Sequence, residues 1–369
     1  MKQIWWFSFL CPLLFSLEAK SQKTDAWQEA PELTLSGFLD VFYVYDFARP
    51  TGPSRQPFFF NHNRHNEFNL NLGFIQWNVS HAKYRANLAL QAGTYPNDNY
   101  AEEPGLLKAV LEANVGVSLN ADNSIWLDLG IMPSHIGFES AISMDNPTLT
   151  RSILAENSPY FMAGAKLGYQ PNETWFFAGL ILNGWQRIQR LPGNSIPAFG
   201  SQVSYTPSSA MTFNWSTFIG TDDPDSTRRM RYFNNFYGKL QLSEKVDVTG
   251  GLDIGLQQSQ KGSGKLDTWF SPVAIAQYRF RPHWRTAIRA EYYQDRTGII
   301  IPTDTPNGFQ TIGISGTLDY LPTESIMLRT EARRLNSQDE VFESASGGTR
   351  DNVFIGFSLA VRFAKKLSP

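Results

Sequence analysis

Apolar and polar residues alternate along most of this chain with a period of two residues. Between Leu33 and Phe47, apolar side chains occupy most odd positions, whereas Thr34, Ser36 and Asp40 occupy even positions. A two-residue period places successive side chains on opposite faces of a β-strand. Because this segment covers about 15 residues, it predicts a strand much longer than the ~5–6 residues that are usual in globular domains.

Sixteen segments in all predict strands of this kind. They span 33–47, 66–79, 84–95, 106–119, 124–132, 160–169, 174–186, 197–205, 210–221, 230–242, 246–257, 268–280, 284–294, 309–320, 325–335 and 352–363. The alternation is poor at 66–79, 174–186 and 268–280, so the pattern leaves fourteen and eighteen strands open as alternatives.

Short and long connections alternate between these segments. Seven are tight and contain the turn-forming residues Pro, Asn, Asp and Ser. The long ones span 48–65, 95–105, 133–159, 187–196, 222–229, 258–267, 295–308 and 336–351. Transmembrane β-barrels have short periplasmic turns, long extracellular loops and an even number of strands. The alternative, a soluble β-sandwich, has no reason to keep every long loop at one end.

The predicted fold is therefore all-β: a transmembrane up-and-down antiparallel β-barrel of sixteen strands, with both termini in the periplasm. Alternation also assigns the two faces of the wall. The lipid-facing parity is predicted to be that of Leu35, Leu39, Leu111, Leu252 and Ile355.

The longest connection, residues 133–159, is the third outer loop of this arrangement. Sixteen strands enclose a channel too wide for side chains of the wall to fill. We therefore expect this loop to fold into the lumen and narrow it; the alternative is a solvated loop outside the barrel. Its candidate pore-constriction residues are His135, Glu139, Asp145, Arg151 and Glu156.

Charged residues with lumen-facing parity form a second candidate group, on the pore wall or rim. They are Arg64, Glu67, Arg285, Arg289, Arg329 and Arg333. The late arginines could draw anions as a basic ladder, but Glu291 and Glu331 lie between them, which favours an internal network that braces neighbouring strands. Early strands carry acids at the same parity, so the sequence leaves cation and anion preference open.

The N-terminus predicts export. Residues 1–21 combine Lys2, an apolar run over 4–17 and the small-x-small sequence Ala19-Lys20-Ser21, which together are typical of a secretory signal peptide. Residues 22–369 are then expected to form a single outer-membrane β-barrel domain. No other apolar run reaches the ~18 residues of a membrane helix. The only cysteine is Cys11, so the exported chain is expected to lack disulfides.

Several function classes find no support in the sequence. With 32 basic and 34 acidic residues, the net charge of −2 gives no general attraction to nucleic acid. Ser134 and His135 are adjacent, but adjacency in sequence is not a catalytic geometry, so no catalytic residues and no enzyme activity are expected. The acidic turn 222–225 could hold Ca²⁺ weakly, but the pattern favours an acidic turn without a metal, so no metal site is expected. No cofactor is expected either. Only about ten residues precede the first strand after the signal peptide, so no plug domain of the kind found in TonB-dependent transporters is expected.

Four stretches resemble a known family. They are NRHNEFNLNLGFI at 63–75, LALQAGTYPNDNYAEEP at 88–104, LDLGIMPSHIGFESAISMDNPTLTRSILAENSPYF at 127–161 and LILNGWQRIQ at 180–189. They look like the OmpL-like outer-membrane porins, β-barrel porin family two. The resemblance covers nearly the whole exported chain, and the third outer loop is its most specific part. It implies a channel in the outer membrane of a Gram-negative cell.

Two functions follow as hypotheses. The first is a porin in which small hydrophilic solutes or ions diffuse passively through a channel narrowed by residues 133–159. The alternative is a non-conducting structural or adhesion barrel whose outer loops bind a partner. The expected partners are outer-membrane lipid and small solutes, and association into a homotrimer is left open.

Overall fold

The barrel closes in one antiparallel sheet. The computed structural model describes Trp27 and residues 29–367; the predicted signal peptide, 1–21, lies outside the described residues. Within them, sixteen strands each pair with two neighbours, and the first pairs with the last. The prediction of a sixteen-stranded up-and-down barrel is confirmed.

The strands are long and follow the predicted segments closely. The barrel strands are β1 (Glu32–Asp46), β2 (Phe68–Ser80), β3 (Tyr84–Ala92), β4 (Val110–Ser118), β5 (Ile125–Pro133), β6 (Phe161–Tyr169), β7 (Trp175–Leu182), β8 (Ala198–Ser208), β9 (Met211–Gly220), β10 (Arg231–Gln241), β11 (Val246–Gln258), β12 (Leu266–Arg281), β13 (Trp284–Asp295), β14 (Phe309–Thr323), β15 (Ile326–Ser337) and β18 (Asp351–Leu367). A separate hairpin of β16 (Phe342–Ser344) and β17 (Gly347–Thr349) lies in the last long loop.

The long loops contain short helices. They are α1 (Thr94–Asn99) and α2 (Ile153–Glu156), with 3₁₀ turns at Gly105–Ala109 and Ser143–Asp145. None of these helices has the length and apolarity needed to cross a bilayer.

The short turns and both described chain ends lie at one end of the barrel. Strands β1 and β18 close the sheet with Leu33 opposite Leu367 at that end and Asp46 opposite Phe354 toward the other. All eight long connections therefore leave from the opposite end, which we call the outer end.

Alternation separates an apolar exterior from a polar interior. Leu39 and Ile288 point outward and are 55% and 60% exposed, whereas their neighbours Asp40 and Arg289 point inward and are fully buried. The assignment is wrong at Leu111, because a bulge interrupts the pairing of β3 and β4 there and Leu111 lines an internal hollow. Val115, 56% exposed, is a lipid-facing residue of the same strand.

The segments in which apolar and polar residues alternate poorly are strands whose inward-facing residues are also apolar. In β12, Val273 and Ile275 are buried against Leu154 of the third outer loop. In β7, Leu180 and Leu182 join a cluster that contains Ile136 of the same loop. Alternation is lost at these strands because their inner face packs on protein instead of facing water.

Candidate functional site: the lumen and its third outer loop

The third outer loop, residues 134–160 in the structure, lies against inward-facing side chains of the wall. Three arginines and two glutamates on β13 and β15 bind its main chain between Ser143 and Ile153. They are Arg289, Glu291, Arg329, Glu331 and Arg333. We call this set the anchor ladder.

The arginines of the anchor ladder donate to successive carbonyl groups of the loop. Arg329 donates through Nη1 to the carbonyls of Ser143 and Thr148, both at 2.8 Å. Arg289 Nη1 donates to the Thr150 carbonyl at 2.6 Å. Hydrogen bonds with a charged donor are about twice as strong as neutral ones, so each arginine holds the loop firmly.

The two glutamates bind main-chain amides of the same segment. Glu331 accepts from the Thr150 amide at 2.6 Å, and Glu291 accepts from the Ile153 amide at 2.7 Å. Each glutamate is also paired with an arginine: Glu331 with Arg289 at 2.8 Å and Glu291 with Arg333 at 2.6 Å. The third arginine, Arg329, pairs with Asp319 of β14 at 2.5 Å, so every buried charge of the ladder has a partner of opposite sign.

These contacts decide between the two interpretations of the late arginines. Arg289, Arg329 and Arg333 are 0%, 3% and 1% exposed, so they brace the wall and the loop and do not face a solute. The fourth, Arg285, lies nearer the inner end and donates to Asp319 at 2.6 Å. Each of the four arginines is paired, which agrees with the internal network that the sequence favours and not with a ladder of free charges that draws anions.

Glycines on the inner wall leave room for side chains of the loop. A Cβ atom at Gly200 of β8 would lie 2.7 Å from Nε2 of His135, and one at Gly356 of β18 would lie 3.0 Å from Leu149. A Cβ at Gly251 of β11 would collide with Phe138. The loop therefore contacts opposite sides of the barrel interior.

His135 fixes the beginning of the loop. Its Nε2 donates to the Thr217 carbonyl of β9 at 2.8 Å, which requires the proton on that nitrogen. Burial lowers the pKa of His135 to about 4, so the ring is neutral at neutral pH. It supplies no charge to a passage, in contrast to its expected role there. Ser134 Oγ instead accepts from the Ile136 amide, so the two adjacent residues form no nucleophile–base pair.

Arg151 and Glu156 are buried inside the loop assembly. Arg151 is 0% exposed and donates to the carbonyls of Leu149 and Ala141, which closes the loop on itself. Glu156 accepts from the amides of Phe60 and Asn61 at 2.8 and 3.2 Å. Neither side chain can contact a passing solute, because both are fully enclosed by protein.

Glu139 and Asp145 are the accessible charges among the five candidates. Glu139 is half-buried and accepts from the Ser152 amide at 3.2 Å. Burial raises the pKa of Glu139, while Arg289 and the Ser152 hydroxyl act in the opposite direction. Asp145 is exposed and pairs with Arg362 of β18 at 3.0 Å.

The two rim candidates have partners close to the outer end of β2. Arg64 forms a bidentate pair with Asp98 of α1, at 2.6 and 2.9 Å, and so binds the second outer loop. Glu67 accepts from Asn69 at 2.8 Å.

The first outer loop, residues 47–67, also enters the barrel. Phe58 and Phe59 are buried with Phe309 and Phe342 in one apolar cluster. Farther along, Nε2 of His62 lies 2.9 Å from a carboxylate oxygen of Asp40 on β1. This loop covers the third outer loop from the outer side. The sequence did carry a signal for it, because the run Pro-Phe-Phe-Phe at 57–60 is too apolar for a solvated loop.

Three hollows follow one another through the interior. The outer hollow, about 280 Å³, is lined by loop residues such as Trp185 and Asp222. The middle hollow, about 290 Å³, lies beside the third outer loop, and the inner hollow, about 350 Å³, reaches the short turn at Ser209. The outer and middle hollows share Tyr100 and Phe161.

Residues that line two hollows lie where those hollows approach each other. Tyr100 and Phe161 are stacked with ring centroids 4.0 Å apart between the outer and middle hollows. Phe138 and Lys239 line both the middle and the inner hollow. The position of Tyr100 could not be predicted from the sequence, because an aromatic residue in a loop carries no periodic signal.

The acidic turn 222–225 binds arginines in the structure. Asp222, Asp223 and Asp225 pair with Arg187, Arg229 and Arg228 respectively. Among the described residues, no group of histidine, cysteine and acidic side chains is arranged to hold a metal ion.

Comparison with known protein families matches residues 32–363 to the family described as "Putative beta-barrel porin-2, OmpL-like". The match runs through all sixteen barrel strands and confirms the resemblance found in the sequence. A search of curated protein sequences gave no match.

Solved structures with a similar fold are outer-membrane proteins. The anion-selective porin from Comamonas acidovorans has a TM-score of 0.60 at 10% identity, over 90% of this chain and 100% of that chain. The outer membrane channel DcaP of Acinetobacter baumannii has a TM-score of 0.59 at 10% identity, over 90% and 98%. A trimer form of OmpT, an outer membrane protein of Vibrio cholerae, has a TM-score of 0.60 at 7% identity, over 91% of this chain and 100% of that chain. Identities this low establish a shared fold only.

Proposed function

Because the chain belongs to the OmpL-like β-barrel porin-2 family of outer-membrane porins, we propose that it conducts small hydrophilic solutes and ions passively through the three hollows. The third outer loop narrows this route, and no catalytic step is involved. The observation that carries the proposal is the anchor ladder, which holds the loop beside the middle hollow.

Narrowing follows from the way in which the loop is held. A barrel of about sixteen strands otherwise encloses an aqueous channel. Glu139 and Asp145 of the loop line the middle and inner hollows, and Lys239 of β10 lines both from the wall. Charged groups at a constriction select solutes by sign and size. The constriction role is therefore proposed for Glu139 and Asp145, with Phe138 between them in the passage.

A planar lipid bilayer tests the proposal. We expect the purified, folded protein to give steady unitary currents in potassium chloride at constant voltage. Folding is checked independently by the change in electrophoretic mobility between heated and unheated samples. A folded sample without current would contradict passive conduction.

The alternative function, a closed barrel that binds a partner through its outer loops, also has one supporting observation. The outer part of the interior is filled by the first outer loop and by the buried cluster around Phe58, Phe309 and Phe342. The same bilayer recording separates the two functions, because a closed barrel conducts no ions.

Topology and assembly complete the proposal. Periplasmic termini are supported by the position of both described chain ends beside the short turns. An epitope tag at the C-terminus should be inaccessible to antibody on intact cells and accessible after permeabilisation.

A homotrimer is proposed from the fold alone, and chemical cross-linking in native membranes tests it by the appearance of a threefold mass.

A further inference from the structure

The charges that face the middle hollow are not balanced. Glu112 of β4, Glu139 of the third outer loop and Lys239 of β10 line it. In the part of the chain that the structure describes, none of these three forms an ion pair. Lys239 is held by a hydrogen bond of 3.2 Å from Nζ to the Phe138 carbonyl.

Aromatic rings add to the negative character of the same hollow. Phe138, Tyr160 and Tyr237 line it and are only partly buried, and the rings of Phe138 and Tyr237 lie 5.7 Å apart. The face of an aromatic ring attracts cations through its quadrupole. Nζ of Lys239 itself lies 5.9 Å from the centroid of the Tyr237 ring, so two carboxylates and the rings of Phe138 and Tyr160 remain to attract a solute cation.

Other basic residues of the lumen already have acidic or loop partners. Lys166 of β6 acts on Glu112, but it also lies 3.8 Å from a carboxylate oxygen of Asp128. The arginines of the anchor ladder are enclosed by the third outer loop. In the inner hollow, Asp145 pairs with Arg362, and Asp247 pairs with Arg279. Water and salt screen charges in the wider inner end, where the Debye length is about 8 Å in physiological salt.

We propose that the middle hollow makes the passage cation-selective, with small ammonium compounds among the solutes that it favours. The proposal rests on the passive conduction proposed above. The carboxylates of Glu112 and Glu139 attract cations from two sides of the hollow. The ammonium group of Lys239 repels cations and so limits the selectivity.

Reversal potentials test the proposal. With the wild-type protein in a planar bilayer under a potassium chloride gradient, we expect a potassium permeability above that of chloride. Replacing potassium by methylammonium should keep the cation preference. A single charge about 5 Å from an ion in water raises the local concentration of ions of one sign about fourfold and lowers that of the other sign about fourfold. Glu112→Gln and Glu139→Gln should therefore each lower the permeability ratio by up to about sixteenfold.

Two further variants sharpen the result. Lys239→Met should raise the cation preference by a similar factor. Glu67→Gln, which alters a carboxylate at the outer rim, should leave the ratio unchanged. The wild-type measurement needs no variant to fold, so the test does not depend on the stability of the substitutions.

The outcomes separate the two proposals. A chloride permeability above that of potassium in the wild type would overturn cation selectivity and leave passive conduction intact. Equal ratios in the wild type, Glu112→Gln and Glu139→Gln would overturn the role of the middle hollow. Absence of current from folded protein would overturn passive conduction itself, and cation selectivity with it.

Discussion

Arg289 of β13 donates a 2.6 Å hydrogen bond to the carbonyl oxygen of Thr150, 139 residues away in the chain. This bond joins the wall of the barrel to the third outer loop at a point where both are fully buried. Since Arg289 also pairs with Glu331, and Glu331 binds the Thr150 amide, wall and loop form one unit.

Removing the Arg289 side chain should weaken the attachment of the third outer loop to the wall. Arg289→Ala leaves Glu331 buried with one partner fewer, and breaking a buried ion pair in this way costs about 3–5 kcal/mol. We expect a fall of that size in the free energy of unfolding by urea in lipid vesicles. The control is Arg334→Ala, because Arg334 forms an exposed pair with Asp351 that contributes at most ~1 kcal/mol. Equal effects of the two substitutions would contradict an anchoring role.

Gly200→Val should displace His135. The new side chain would occupy the place of the imidazole ring, whose Nε2 lies 2.7 Å from the position of a Cβ atom at Gly200. Overpacking of this kind typically costs about 1–3 kcal/mol. Gly179→Val on the adjacent strand is the matched control, since a Cβ atom there meets nothing within 4 Å. Thermal unfolding of both variants would show whether only Gly200→Val lowers stability.

The two faces of the wall can be tested on neighbouring residues of β4. Val115→Lys places a charge in lipid and should cost about 2–4 kcal/mol near the middle of the membrane. Asn114→Lys places the same side chain in the lumen and should be tolerated. Assembly is measured as the fraction of protein that resists unfolding in unheated electrophoresis samples. Similar fractions for the two variants would count against this orientation of the wall.

Stability should depend on pH through Glu156. Burial raises its pKa from an ordinary value of 4.5 to about 7. Because the folded pKa lies above the unfolded one, its contribution to stability is complete below pH 4.5 and is lost as pH rises through 7. A shift of this size corresponds to about 3 kcal/mol. Relative to Glu156→Gln, the wild type should therefore gain up to that amount as pH falls from about 8 to about 4. Parallel pH curves for the two proteins would show that Glu156 does not titrate in this way.

Sequence periodicity predicted the wall well because lipid and lumen impose opposite demands on successive residues. Leu39 and Asp40 illustrate this difference. Leu39 faces lipid, whereas Asp40 is buried inside the barrel and contacts His62. Periodicity failed at Val273 and Ile275, whose inward side chains pack on the third outer loop. At such positions the environment is set by a distant part of the chain.

The site was harder to predict because pairing partners cannot be read from parity. Arg329 and Arg333 were correctly placed on the inner face, but only the structure shows that they bind loop carbonyls. Arg151 and Glu156 were expected in the passage and are buried, since each satisfies main-chain groups of the loops. Gly251 gave no signal, as its role depends on the position of Phe138.

The narrowing that we propose for the third outer loop can be measured on a variant that lacks the loop. The amide of Ser134 donates to the Tyr160 carbonyl at 3.0 Å, so the ends of the loop are close enough for a link of about four Gly and Ser residues to replace 135–159. The most direct measurement is the single-channel conductance of this variant, compared with a control in which the exposed loop segment 260–264 is shortened. We expect a severalfold increase for the first variant and none for the control. Equal conductance of the folded variant and the wild type would contradict this narrowing.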